Sequence, residues 1–351
     1  MKVLLTGGAG FIGQYVASIL TEQGHEVFAL DCLLPQVHAD PEASRRRFPG
    51  QLHVGDVSDP SAWDGLARAD AIIHLAAETG TGQSMYEQDR YHRVNVGGTD
   101  LAGKTAADWG ARLVSLSSRA VYGNGRHICQ VHGDSYGTAC CDRSGPAPST
   151  ETDPHRAASF YGTTKSLAEQ TLTQWGEHVP ITSIRPQNVI GPGQALHNPY
   201  TGVLAAFLAQ LKAGRPLTIY GTGLQTRDFL HVSDLARLLT WCVLEPASYS
   251  VDVLNAGSGV RTTLLELAQY AATASPAGRA EITHVEVTRA GDIDHACADL
   301  TRFHNVGAPA PLWKTPDAVA DFIRLSWGHK GADTSAWDAA LAELAARGLT
   351  S

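Results

Sequence analysis

The chain has 351 residues, 43% of them hydrophobic and 18% charged, which is room for two modest domains or one large α/β unit and too apolar for disorder. Lys and Arg number 27 against 35 Asp and Glu, a formal charge of -8, and a protein that neutralises a nucleic-acid backbone would carry the opposite balance. The apolar start Met1–Leu5 is too short for a signal sequence or a membrane span, and six cysteines are too sparse for a secreted disulfide framework. The expectation is a cytoplasmic protein with reduced thiols and no membrane or nucleic-acid partner.

In chain order, short apolar runs predict strands at 2–6, 26–31, 51–54, 70–75, 112–117 and 181–185. Helices are expected near 11–23, 60–68, 85–108 and 159–177. Runs such as Ala71-Ile72-Ile73-His74-Leu75 are unbroken rather than alternating, as in parallel strands buried on both faces. The pattern predicts an α/β Rossmann-type doubly wound parallel sheet over residues 1–185. After 186 the texture changes, with Gly191-Pro192-Gly193, an apolar helix near 201–213 and then short elements. A smaller C-terminal substrate-binding domain is expected over 186–330, followed by a helical tail at 331–351.

Thr6-Gly7-Gly8-Ala9-Gly10-Phe11-Ile12-Gly13 sets three glycines three apart, directly after a strand and opening a helix. Gly7, Gly10 and Gly13 permit a tight turn and close approach of backbone to a pyrophosphate. The helix end at Phe11 and Ile12 then faces the phosphates. Asp31 ends the next strand, where a carboxylate accepts from ribose hydroxyls and repels a 2′-phosphate, so NAD is favoured over NADP. Asp56 and Val57 follow the third strand and are candidates for the adenine side, although Asp56 also reads as an ordinary turn residue.

Tyr161 and Lys165 stand four apart on a predicted helix, so one face carries a phenol and an ammonium. A neighbouring ammonium is expected to lower the phenol's pKa and make it usable as a base. Together with His74-Leu75-Ala76-Ala77, Asn95-Val96-Gly97-Gly98-Thr99, Leu116 to Gly123, Arg185 to Gln194, Arg227 to Val232 and Asn255-Ala256-Gly257, these residues resemble the extended short-chain dehydrogenase/reductase family. The similarity is to its nucleotide-sugar epimerase and dehydratase branch, and it runs in the family's order over about residues 1–305. It implies a catalytic set of Ser118, Tyr161 and Lys165. It also implies cofactor contacts at Leu75 and Ala76 and sugar-diphosphate contacts at Asn188, Arg227 and, more loosely, Arg289. Family dehydratases carry Asp-Glu where this chain has Arg119-Ala120, which removes the acid–base pair for water elimination.

Between Tyr122 and Phe160 the pattern gives way to a segment rich in Gly, Ser, Pro and Asp that holds Cys129, His132, Cys140 and Cys141. Such an insert looks like one in a subgroup of nucleotide-sugar 4-epimerases that includes dTDP-L-rhamnose 4-epimerase-like proteins. Four possible zinc ligands are present, but adjacent cysteines chelate one tetrahedral ion poorly. The expectation for 124–158 is therefore a substrate-covering loop with incidental thiols and no metal. The whole predicts an NAD-dependent nucleotide-sugar 4-epimerase acting through a transient 4-keto sugar, with a homodimer through the helices near 85–108 and 159–177. The alternatives are a 4-ketoreductase or other nucleotide-sugar oxidoreductase of the same family and a non-catalytic NAD sensor, against which the presence of both Tyr161 and Lys165 speaks.

Overall fold

A computed structural model describes residues 1–198, 202–245, 251–286, 292–329, 338–339, 342–343 and 346–348. The first apolar runs form β1 (Lys2–Thr6), β2 (Glu26–Asp31), β3 (Gln51–Val54) and β4 (Ala71–His74), with α1 (Phe11–Glu22) and α2 (Pro41–Arg47) between them. Next come α3 (Thr81–Ser84), α4 (Gln88–His92), a π-helical turn at Arg93–Gly97, α5 (Gly98–Trp109) and β5 (Arg112–Leu116). The insertion supplies β6 (Arg126–Cys129), β7 (Gly133–Tyr136) and β8 (Ser144–Ala147), and α6 (Phe160–Leu172) leads to β9 (Ile181–Pro186).

Beyond β9 lie β10 (Asn188–Ile190), α7 (Val203–Lys212), β11 (Leu217–Tyr220), β12 (Thr226–Arg227), β13 (Phe229–His231), α8 (Val232–Leu244) and β14 (Val251–Ala256). They are followed by β15 (Thr262–Thr263), α9 (Leu264–Ala274), β16 (Ile282–Val285), α10 (Thr301–Asn305) and α11 (Thr315–Ser326). The main sheet has seven strands in the order β14-β9-β5-β4-β1-β2-β3, and every pair is parallel. Helices cover both faces, as parallel strands require. Val16, Leu20, Leu235 and Leu239 pack with Val3, Leu5 and Ile73 on one face, while Ala102, Ala106 and Leu172 pack with Leu4, Ile72 and Leu113 on the other. A separate core of Phe207, Leu208, Leu267 and Phe322 holds the C-terminal elements together.

Four expectations are corrected. The helix expected at 60–68 is one 3-10 turn, Pro60–Ala62, and Gly65 at φ +75° carries the chain into a left-handed conformation. The helix expected at 85–108 is broken by the π turn, which places Asn95 so that its side chain ties Glu78 to Thr164. The insertion is not a structureless loop but contains a three-stranded antiparallel sheet in the order β7-β6-β8. The boundary at 186 divides the chain but not space, because α8 packs in the same core as α1 and β14 returns to form the sheet's edge beside β9. Most of the tail at 331–351 lies outside the described residues.

Candidate active site

The strand order reverses at β1, which lies between β2 and β4, so a crevice opens at the carboxyl ends of β1 and β4. The glycine turn occupies it. Gly7 sits at φ +67°, and a Cβ there would lie 2.8 Å from the Ala76 amide nitrogen; one at Gly13 would lie 2.5 Å from the Gly8 carbonyl. Leu75 and Ala76 are held against this turn by Thr6, whose backbone and hydroxyl oxygens accept from their amides. No side chain caps α1, which leaves the first-turn donors around Phe11 and Ile12 without that competitor. A cradle that a single methyl group would fill, facing an uncapped helix N-terminus, fits the pyrophosphate of a dinucleotide.

Asp31 is buried at the end of β2 and closes the same turn. Its Oδ2 accepts from the Ala9 amide at 3.0 Å and its Oδ1 from the Leu33 amide at 2.9 Å, with His38 Nε2 at 3.5 Å from Oδ1. Oδ2 keeps a lone pair for a further donor. Asp56 Oδ1 accepts from the amide and hydroxyl of Ser58, the turn arrangement weighed in the sequence, while Val57 is buried in the core beneath α5. His74 lies between Thr6 and Thr99, and burial with the Lys165 charge pushes it down to about 3, so it is a neutral structural residue.

Ser118, Tyr161 and Lys165 converge where β5 meets α6. Ser118 follows β5 and caps the short turn Arg119–Tyr122, accepting from the Ala120 amide at 3.1 Å. Ser159 caps α6 through the Gly162 amide at 3.2 Å, and the Tyr161 amide donates to Ser84 Oγ at 3.0 Å, which fixes where the phenol enters. The Ser118 side chain lies close enough to that phenol to favour its ionised form. Burial raises the phenol above its ordinary range and Ser118 opposes the rise only in part. The expected lowering by Lys165 is therefore not what the structure shows. Lys165 is itself buried, donates to the Leu116 carbonyl at 2.7 Å, and is pushed down to about 8 by burial against the pull of Glu169.

Beside this set lies a buried network that sequence reasoning missed. Arg185 forms a bidentate pair with Glu169, with Nε to Oε1 at 2.9 Å and an Nη to Oε2 at 2.6 Å. It also donates to Tyr122 Oη at 2.8 Å and the Glu151 carbonyl at 3.0 Å, and meets His155 Nε2 at 2.7 Å. Tyr122 in turn donates to Asn255 Oδ1 at 2.7 Å, and Ser117 Oγ bonds Glu169. One guanidinium thus joins α6, the turn after Ser118 and the exit of the insertion, and through Tyr122 reaches β14.

On the C-terminal side, Arg119 and Arg227 are brought together. Burial, and then the Arg227 charge, push Arg119 down to about 9, and burial also lowers Arg227 against the carboxylates of Asp292 and Asp294. Among the described residues neither guanidinium is in an ion pair; Arg227 donates to the Thr226 and Asp294 carbonyls and Arg119 to the Gly123 carbonyl. Asn188 on β10, whose amide donates to the carbonyl of Asp228, the residue after Arg227, has a buried Oδ1 without a hydrogen-bond partner. Two neighbouring guanidiniums, neither of them in an ion pair among the described residues, form a site that favours an anion. Arg119 entered the sequence argument only as a missing acid; its role here depends on Arg227, more than a hundred positions on in the sequence. Arg289 lies outside the described residues.

The seven-stranded parallel sheet, with helices on both faces and a glycine turn at its switch point, is a Rossmann-type architecture. A family model described as the NAD dependent epimerase/dehydratase family matches residues 3–257, and the chain belongs to that family of enzymes. The dTDP-L-rhamnose 4-epimerase of Burkholderia thailandensis is 35% identical over 346 residues, covering 91% of this chain and 93% of that protein. A UDP-glucose 4-epimerase of Mycolicibacterium smegmatis is 30% identical and covers 92% of this chain and 96% of its own. The solved structure of MoeE5 in complex with UDP-glucuronic acid and NAD is 26% identical and superposes with a TM-score of 0.75 over 93% of this chain and 99% of that one. No helix among the described residues is long and apolar enough to cross a membrane.

Proposed function

We propose that the chain is an NAD-dependent nucleotide-sugar 4-epimerase. The observation that carries this reading is the placement of Ser118, at the turn after β5, beside Tyr161 of α6 in a site where the following positions are Arg119 and Ala120 rather than an acid pair. The residues of the cradle, Gly7, Gly10, Phe11, Ile12, Gly13, Leu75 and Ala76, would hold the pyrophosphate, and Asp31 the ribose. Bound NAD supplies the hydride acceptor and donor.

The chain's own part is proton transfer and orientation. Ser118 holds the sugar's C4 hydroxyl against the Tyr161 oxygen, which takes the hydroxyl proton as a carbonyl forms at C4 and returns it later. Lys165 sits one turn further along α6 and keeps positive charge close to the reacting oxygens. Arg119, Arg227 and Asn188 anchor the diphosphate, so that the 4-keto sugar can turn its other face to the cofactor without leaving. Net redox is zero. The same reading includes a homodimer with α5 and α6 at its interface, which light scattering at assay concentration would test.

Incubation with a panel of UDP-, dTDP- and GDP-sugars, followed by NMR of the products, tests the assignment. The expected product is the C4 epimer with no consumption of added NADH or NADPH. A 4-keto-6-deoxy product would show a dehydratase instead, and stoichiometric loss of reduced cofactor would show a ketoreductase.

A further inference from the structure

The three strands β6, β7 and β8 have no apolar interior. Cys129 and His127 are the buried side chains of the Arg126–Ala147 segment, whereas Ile128 and Val131 are 45% and 57% exposed, and none of its residues belongs to the three cores. A small antiparallel sheet without a hydrophobic face is not stable by its backbone bonds alone and needs a staple.

The fold places candidate ligands for one at a single point. Cys129 ends β6 opposite Gly133 of β7 and Ser144 of β8. Gly133, at φ +77°, lets the Gln130-Val131-His132 turn fold back, which brings His132 Nδ1 to 3.6 Å from Cys129 Sγ. Cys140 and Cys141 lie on the turn before β8, where the Ser144 amide donates to the Cys141 carbonyl at 2.9 Å.

Five of the six distances among the four ligand atoms are close to the edges of a zinc tetrahedron. His132 Nδ1 is 3.6 Å from each of the three sulfurs, Cys129 Sγ is 3.6 Å from Cys141 Sγ, and Cys140 Sγ is 4.0 Å from Cys141 Sγ. All four lie within 4.8 Å of one another, and all three cysteines are free thiols. A zinc ion with Zn–S of about 2.3 Å and Zn–N of about 2.0–2.1 Å at tetrahedral angles spans edges of about 3.8 Å between sulfurs and about 3.5–3.6 Å between sulfur and nitrogen. The adjacency of Cys140 and Cys141, which argued against a shared ion, does not prevent both sulfurs from reaching one point.

We propose that Cys129, His132, Cys140 and Cys141 bind one structural zinc ion that staples the insertion. A set of three thiolates and one imidazole selects a thiophilic cation of tetrahedral preference. Four protein ligands close the coordination shell and leave no position for a substrate, so the ion is not part of the chemistry. On binding, each thiol yields its proton to solvent and the sulfur's lone pair to the metal. The staple sits on a segment anchored at both ends near the cleft. Asn124 Oδ1 accepts from the Asp294 amide at 2.9 Å, and the Ser149 carbonyl accepts from Asn255 Nδ2 at 2.8 Å.

Metal analysis of the full chain purified without added zinc or chelator is expected to give about one zinc per chain. Replacement by Co²⁺ in the reduced protein should give the intense visible absorption and sulfur charge transfer of a tetrahedral cobalt thiolate. Cys141→Ser should lose the zinc, while Cys32→Ser, a change at an exposed thiol elsewhere, should keep it. Stripping the metal should open the exposed Arg143 to trypsin. If Cys141→Ser does not fold, the cobalt spectrum of the unaltered chain still decides. Less than about a tenth of an equivalent of zinc with no tetrahedral cobalt spectrum would overturn the proposal. A Cys129–Cys141 disulfide found by mass spectrometry in freshly purified protein would overturn it as well. Neither outcome bears on the epimerase reading, which the sugar panel tests separately.

Discussion

The two ends of the cleft are made of different material. At the glycine end, the surface is backbone: Gly7 and Gly13 have no room for a Cβ, and the one charged side chain, Asp31, is spent partly on holding the turn through the Ala9 and Leu33 amides. At the arginine end, the surface is side chains drawn from distant segments, Arg119 after β5, Asn188 on β10 and Arg227 on β12. A backbone cradle can be shaped only in a narrow set of ways, so related proteins that bind one cofactor share it. A side-chain cradle can be rebuilt by single substitutions, so this end is where substrate choice can diverge.

If that division is right, damage to the two ends should separate cleanly, and damage at their junction should not. Tyr161→Phe, at the junction, removes the proton acceptor and should lower kcat about 10²–10⁴-fold while calorimetry shows nucleotide-sugar binding little changed. Near-normal turnover would remove Tyr161 from the chemistry.

Arg119→Ala or Arg227→Ala should raise KM for the nucleotide sugar by about 10–100-fold, the equivalent of about 1.5–3 kcal/mol for a hydrogen bond to a charged group, with NAD affinity unchanged. A loss confined to NAD affinity would reverse the assignment of the two ends. Asp31→Ala should weaken NAD roughly tenfold and NADP less, since the ribose partner and the repulsion of a 2′-phosphate vanish together. Equal losses for both cofactors would mean that Asp31 serves only the turn.

The smallest effect concerns the Glu169–Arg185 pair between the ends. Burial alone would raise the Glu169 carboxyl, but the Arg185 bonds and charge, with Ser117, outweigh it and hold the carboxyl below its usual value. A depressed folded pKa contributes stability above the ordinary carboxylate value of about 4.3 that is lost as pH falls through the folded pKa. The melting temperature should therefore fall more steeply for the native chain than for Glu169→Gln as pH drops below about 4.3. Parallel curves would show the pair to be neutral.

What could be read in advance follows the same division. β1, β2 and β3 were legible residue for residue because each is a short run built around apolar residues between turn signals. The glycine turn was legible because its chemistry is a property of one short segment, and Tyr161 and Lys165 because a helix converts their spacing into a shared face. The Arg185 network was not, since its partners come from Tyr122, Glu151, His155 and Glu169, and no local pattern announces that they meet. The membership of β14 in the main sheet was hidden for the same reason. So was the sheet in the insertion, whose strands Gly133–Tyr136 and Ser144–Ala147 contain Gly, Asp, Ser and Pro and lack the β-branched pattern that marks a strand.

The late return of β14 has a consequence for how the chain is made. When β9 leaves the ribosome, five strands of the sheet, β3 through β5 by way of β1, are already available to pair, but the outer edge of β9 stays open until Val251–Ala256 has been synthesised. At roughly 5–20 residues per second, residues 187–250 take several seconds to emerge. For that interval a nascent chain displays a strand edge with unpaired backbone donors and acceptors, a template for pairing with a neighbour on the same polysome. Chains stalled before residue 251 should aggregate or be captured by chaperones, and chains released just beyond residue 256 should not.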